Sequence, residues 1–103
     1  MPVISVMYPS DSGTKFDVDY HMQIHIPLVE ARWGSFGLSD LTVLRGVPGP
    51  DGAAPGFSTM ALLTFGSMQP FQLASSKHGR DVFGDVANFT DGQPIVQFND
   101  KAG

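Results

Sequence analysis

Apolar residues recur along this chain with two periods, and each change of period marks an element. Val3 to Tyr8 is β-branched and aromatic and reads as a first strand, closed by the turn cluster Pro9-Ser10-Asp11-Ser12-Gly13. Helical spacing takes over near Phe16. It predicts a helix from about Asp17 to Trp33, with Asp17 or Asp19 as its cap and Gly34 as its end. Pro27 removes the hydrogen bond to the Gln23 carbonyl, so a kink is expected close by. Leu41–Val47 and Phe57–Phe65 predict two further strands, joined by a Gly/Pro loop from Pro48 to Gly56 that serves as an exposed hairpin or a mobile flap. Ser67 is a candidate cap for a second helix that tolerates Pro70 in its first turn, buries Phe71 and Ala74 beside Leu73, and stops at Gly79. Another turn or two carries Val82, Phe83, Val86 and Phe89, and Ile95–Phe98 is a last short strand.

The order βαββαβ predicts an α+β, ferredoxin-like fold: a four-stranded antiparallel sheet with both helices on one face, in a single domain over residues 1–103. The third strand is apolar on both sides. Met60 and Leu62 share one, while Phe57, Ala61, Leu63 and Phe65 share the other. Helices can cover one face, so the other is expected to meet a second copy, sheet to sheet, in a homodimeric α+β barrel.

The first helix carries the chemistry. On a wheel of about 100° per residue, Asp19, Gln23 and Glu30 form the water face and the apolar residues spread over the remaining arc. His21, His25 and Arg32 fall within about 40° of one another in the middle of that arc, between Leu28 and the Val18/Val29 side. Buried ionisable groups are costly unless paired, so an inward-facing trio needs a partner, a cavity or a ligand.

Composition narrows the choice. The 103 residues are 42% hydrophobic and 16% charged, ordinary for a globular domain, with a net charge of −4 and no Lys/Arg cluster, which argues against phosphate-backbone binding to nucleic acid. There is no cysteine, hence neither a disulfide framework nor thiolate chemistry. The apolar start is too short and lacks a basic leader for a signal peptide, and no run is long enough to span a bilayer, so a soluble, cytoplasmic protein is expected.

Imidazoles at i and i+4 share a helical face, and one can accept a proton while the other donates. That suits proton abstraction beside a carbonyl, or protonation of a carbanion after decarboxylation. Arg32 could bind a carboxylate or neutralise an enolate. The plainer reading is a pair of core histidines satisfied by backbone, Asp85 or Asn88. Asp85 is the carboxylate expected to orient His21 or His25 and raise its basicity. A metal reading is weaker: His-x3-His suits zinc, but Met22 stands where a zincin has Glu, and Asp17, Asp85 and His78 lie at no diagnostic spacing. His78, beside Gly79-Arg80-Asp81, reads as a solvated charge partner. No flavin fingerprint or phosphate-binding loop is present, so neither metal nor cofactor is expected.

Phe16 followed by Tyr20-His21 and His25-Ile26-Pro27-Leu28 resembles the F…YH…H-x-PL signature of the EthD family, and Asp85 to Thr90 resembles its second signature, D-x-x-NFT. The resemblance covers nearly the whole chain in order and spacing. It implies a dimeric α+β barrel from a family named for ethyl tert-butyl ether degradation, whose wider superfamily includes cofactor-free monooxygenases, isomerases and decarboxylases. The resulting expectation is a cofactor-independent lyase, isomerase or decarboxylase for a small apolar or aromatic carbonyl compound. His21, His25 and Asp85 would be catalytic, and Tyr20, Leu28, Arg32, Phe65, Asn88 and Phe89 would contact substrate. The alternatives are a non-catalytic carrier of a hydrophobic ligand and a cofactor-free monooxygenase.

Overall fold

Alternation and helical spacing meet in a two-layer arrangement, seen in a computed structural model that describes residues 1–10 and 15–102. The strands are β1 (Pro2–Pro9), β2 (Leu38–Arg45), β3 (Phe57–Phe65) and β4 (Ile95–Asp100). They form one antiparallel sheet in the order β2-β3-β1-β4. The first helical arm comprises α1 (Val18–Tyr20), a π turn (His21–His25) and α2 (Ile26–Trp33); α3 (Met68–Gly84) crosses the same face of the sheet. This is the ferredoxin-like α+β fold. Of the turn cluster after β1, Asp11, Ser12 and Gly13 lie outside the described residues.

Between the layers sits a core of Ile4, Val29, Trp33, Ala61, Leu63, Phe65, Phe71, Ala74 and Val82. Phe71, Ala74 and Val82 fall on one stripe of α3 by i, i+3 and i+11 spacing. Trp33 brings a polar atom into this core, and its indole N–H donates to the Ala74 carbonyl at 3.1 Å, so the burial leaves no unmet donor.

Register assigns each strand residue to a face. The rungs Leu41–Leu63, Val43–Ala61 and Arg45–Thr59 look toward the helices, as do Ile4, Val6 and Tyr8 of β1. Met7, Leu44, Met60, Leu62 and Ile95 look the other way, onto a face that no helix among the described residues covers. No helix among the described residues is long and apolar enough to cross a membrane.

Several boundaries differ from those expected. β2 runs Leu38–Arg45 and not Leu41–Val47, because Gly37, at φ 93°, turns the chain early into the sheet. At its far end Gly46 packs so tightly on the Phe57 carbonyl that a side chain could not fit, and the Gly/Pro loop begins there. β4 continues to Asp100, since Asn99 donates from its amide to the Val3 carbonyl and the Ser5 hydroxyl. Gly79 does not stop α3. It is a buried position through which the helix passes to Gly84, and a 3-10 turn follows at Asp85–Asn88.

The expected kink takes a particular form. Pro27 has no N–H, and its ring would crowd the Gln23 carbonyl in a regular helix. Directly before it the backbone widens into the π turn, with the Ile26 N–H donating to the His21 carbonyl, five residues back. The buried face advances by about one residue's rotation across this turn, from His21 and His25 to Ile26, Val29 and Trp33. Arg32 is thereby carried off the inner face.

Candidate functional site

Asp17 begins the construction of the site. Its carboxylate caps α1 by accepting from the Tyr20 N–H at 3.0 Å, while its own N–H donates to the Phe89 carbonyl at 2.7 Å. Nearby, Phe16 pairs with Thr90, and the Thr90 hydroxyl donates to the Lys15 carbonyl at 2.6 Å. The start of the helical arm is thus stitched to the chain just beyond the Asp85–Asn88 turn. Tyr20, His21 and His25 are placed against Asp85 and Phe89 as a result.

Asp85 is the hub. One carboxylate oxygen, Oδ2, lies 3.0 Å from His25 Nδ1. The other, Oδ1, accepts from the Tyr20 hydroxyl at 2.7 Å and from the Asn88 amide at 2.9 Å. Burial alone would raise this carboxyl, but the bonds from Tyr20, Asn88 and His25 outweigh it and hold Asp85 below its ordinary range. The Tyr20 hydroxyl moves the opposite way, because it donates to a carboxylate. For His25, burial is the largest influence and lowers its pKa, and the bond to Asp85 offsets this in part. The resulting pair is a neutral imidazole facing an ionised carboxylate. Nδ1 carries the proton toward Asp85, which leaves the Nε2 lone pair for chemistry.

His21 stacks on His25 with ring centroids 5.6 Å apart at 20°. It is 1% exposed, and its Nε2 is buried without a hydrogen-bond partner among the described residues. Burial first, and the neighbouring His25 second, push His21 down to about 4, so it is neutral at physiological pH. Around the two imidazoles stand Tyr8, Phe16 and Phe89; Phe89 lies 4.7 Å from the ring of His25 and 5.1 Å from that of His21. Burial also pushes the Tyr8 phenol upward, keeping it protonated.

Among the described residues, two spaces are lined by His21. An inner cavity of about 30 Å³ is bounded by both imidazoles, Tyr8 and apolar side chains of the core, among them Val29, Ala61 and Val86. It is large enough for one water or for the end of a ligand. An outer pocket of about 270 Å³ opens beside Phe16, Val18, Met22, Val43, Arg45 and Thr59. His21 lines both, and so stands between the pocket and the core. Among the described residues no group of three His, Cys, Asp or Glu side chains is arranged as metal ligands would be.

The structure brings His21, His25, Asp85, Tyr20, Asn88 and Phe89 together. It separates the other three expected residues from them. Arg32, rotated outward by the π turn, has a side chain 45% exposed and pairs with Asp81 on α3 at 3.3 Å. Phe65 is fully buried, packed edge-on against Trp33 and Phe71, and lines neither space. Leu28 is half-buried and also lines neither. Met22 and Ile24, expected on the apolar arc, are largely exposed, although Met22 edges the outer pocket. His78 is a neighbour of Asp81 at 3.8 Å, within α3 and not at its end.

Arg45 and Thr59 were not anticipated. The signal for Arg45 was present: it shares strand parity with Leu41 and Val43, so it is a cation on the apolar side of β2.

No family model matches the chain, and no curated protein does. Solved structures do. An EthD-like protein from Ralstonia eutropha JMP134 is 35% identical, with a TM-score of 0.91, over 99% of this chain and 92% of that one. An ethyl tert-butyl ether degradation (EthD) family protein from Bacillus halodurans C-125 is 18% identical, with a TM-score of 0.70, over 98% of both chains. A dimeric ferredoxin-like protein from an uncultured marine organism is 8% identical, with a TM-score of 0.55, over 100% of this chain and 96% of that one, and shares the fold. At that level of identity and coverage with the Ralstonia protein, the chain belongs to the EthD-like family.

Proposed function

We propose that this protein is a cofactor-independent acid–base enzyme of lyase, isomerase or decarboxylase type, acting on a small apolar or aromatic carbonyl compound. The observation that carries this reading is the Tyr20–Asp85–His25 hydrogen-bonded chain set beside His21, whose buried Nε2 has no partner among the described residues. Asp85 holds the His25 tautomer, as the carboxylate does in other acid–base pairs, and His25 Nε2 takes the proton from the carbon next to the carbonyl. His21, kept neutral by burial, offers Nε2–H in one tautomer to the oxygen on which negative charge develops. Return of the proton to a different carbon completes an isomerisation; loss of a leaving group completes an elimination.

The size of the spaces says how a substrate fits. Its body occupies the outer pocket, and its reacting end reaches past His21 toward His25. The test is deuterium incorporation next to the carbonyl in a panel of aryl ketones and keto acids, measured by NMR with the wild type and with His25→Gln and His21→Gln. Incorporation catalysed by the wild type and lost in His25→Gln supports the reading. No incorporation with any member, despite binding, sinks it.

That second outcome would favour a carrier of hydrophobic ligands, a reading supported by the almost wholly apolar lining of the inner cavity. A homodimer is part of the proposal. The sheet face bearing Met7, Leu44, Met60, Leu62 and Ile95 has no helix over it among the described residues, and a fold neighbour is described as dimeric.

A further inference from the structure

The rung Arg45–Thr59 closes the helix-facing side of the sheet directly beyond Val43–Ala61. Arg45 is the last residue of β2, so its side chain leaves the apolar side of the strand at the sheet's end, where it borders the outer pocket and still meets water. The ion pairs among the described residues do not involve it, whereas Arg32 is engaged by Asp81. Phe16, Val18, Met22 and Val43 supply apolar walls, Thr59 a hydroxyl, and His21 the inner end. Among the described residues that line this slot, Arg45 carries the one charge. His21 is neutral, so among these described residues it is the guanidinium that can meet an anion as a charge.

We propose that the outer pocket selects an apolar or aromatic acid, with Arg45 anchoring its carboxylate at the rim and the opposite end of the molecule lying against His21. A guanidinium fork matches a carboxylate in two parallel hydrogen bonds, which fixes direction as well as position. The volume of about 270 Å³ suits a molecule of one or two rings. The chain's net charge of −4 disfavours anions in general, so a local cation such as Arg45 is what an acid needs in order to bind in this pocket. The inference rests on the acid–base reading for taking this pocket as the substrate's place, but its test is independent of turnover.

The protein is titrated with 2-naphthoate and with its neutral counterpart 2-naphthamide, following backbone and imidazole signals by NMR. At low ionic strength the acid binds about fivefold more tightly than the amide, the magnitude expected for a partly exposed ion pair. The preference shrinks at high salt, disappears in Arg45→Gln, survives in part in Arg45→Lys and is unchanged in Arg32→Gln. Equal binding of the two probes, binding of neither, or a preference that persists in Arg45→Gln overturns the proposal. Because binding is read without catalysis, an inert protein that still prefers the acid loses only the acid–base reading. An active one with no preference loses only the anchor.

Discussion

Asp85 Oδ2 stands 3.0 Å from His25 Nδ1 across a sequence gap of 60 residues, and both side chains are largely removed from water. Each group offsets part of the other's cost of burial. The carboxylate gives the imidazole a reason to keep its proton on Nδ1, and the imidazole helps keep the carboxylate ionised. Asp85→Asn removes the charge and leaves the shape. The expected result is a mixture of His25 tautomers by NMR, a loss of stability of about 1–3 kcal/mol in urea unfolding, and a fall in turnover on the order of a hundredfold or more. Full turnover in this variant would show that Asp85 is structural.

His21 makes the protein's stability depend on pH. Its pKa falls from 6.5 to about 4 on folding, so between these values the unfolded chain binds the proton that the folded chain refuses. Stability is therefore complete above about pH 6.5 and is lost as pH falls toward 4, by about 3 kcal/mol in all. The lowered pKa of His25 adds in the same direction, while that of Asp85 acts below this window. Urea unfolding at a series of pH values should show the slope, and His21→Gln should flatten most of it. An unchanged slope in His21→Gln would place the proton uptake elsewhere.

β3 was legible to the residue, because Phe57–Phe65 is a run of strand length, apolar on both sides and bounded by glycines. The inward turn of His21 and His25 was legible from the helical period: polar residues on an apolar arc need an explanation. What could not be read was the π turn, since a wheel of constant pitch has no place for an extra residue. That single insertion accounts for the outward position of Arg32. Phe65 was misassigned because an aromatic in a pocket wall and one in the core look alike in sequence, and only packing against Trp33 and Phe71 separates them. Arg45 was overlooked although strand parity applies to it as the helical wheel does to the histidines.

Gly79 tests how tightly α3 lies on its neighbours. A methyl group there would meet Ser75 Oγ at 3.2 Å and the Phe83 ring at 3.7 Å, within the same helix and against no strand. The serine hydroxyl can rotate away, and alanine reduces the freedom of the unfolded chain. Gly79→Ala should therefore stabilise the protein by about 0.5–1 kcal/mol, seen as a higher Tm in thermal unfolding. A lower Tm would mean that Ser75 is held in place and that the helix has no slack at this buried point.

The open face of the sheet gives the last expectation. Leu62 lies at its centre, paired with Ser5 on one side and Thr42 on the other, with Met60 and Leu44 one rung away. In a monomer these side chains would meet water, and Leu62→Lys would be close to neutral for folding, because a charge on a solvated face costs little. In a sheet-to-sheet dimer the same substitution buries one lysine charge from each copy in the interface, without partners. Sedimentation of the wild type should give a dimer, and Leu62→Lys a folded monomer or a dimer weakened by at least a hundredfold in Kd, given that an unpaired buried charge costs about 3–5 kcal/mol. The inner cluster of His21, His25 and Asp85 belongs to one chain and lies on the far side of the sheet, so its geometry should survive dissociation. A wild type that sediments as a monomer at every concentration would leave this apolar face without the proposed partner.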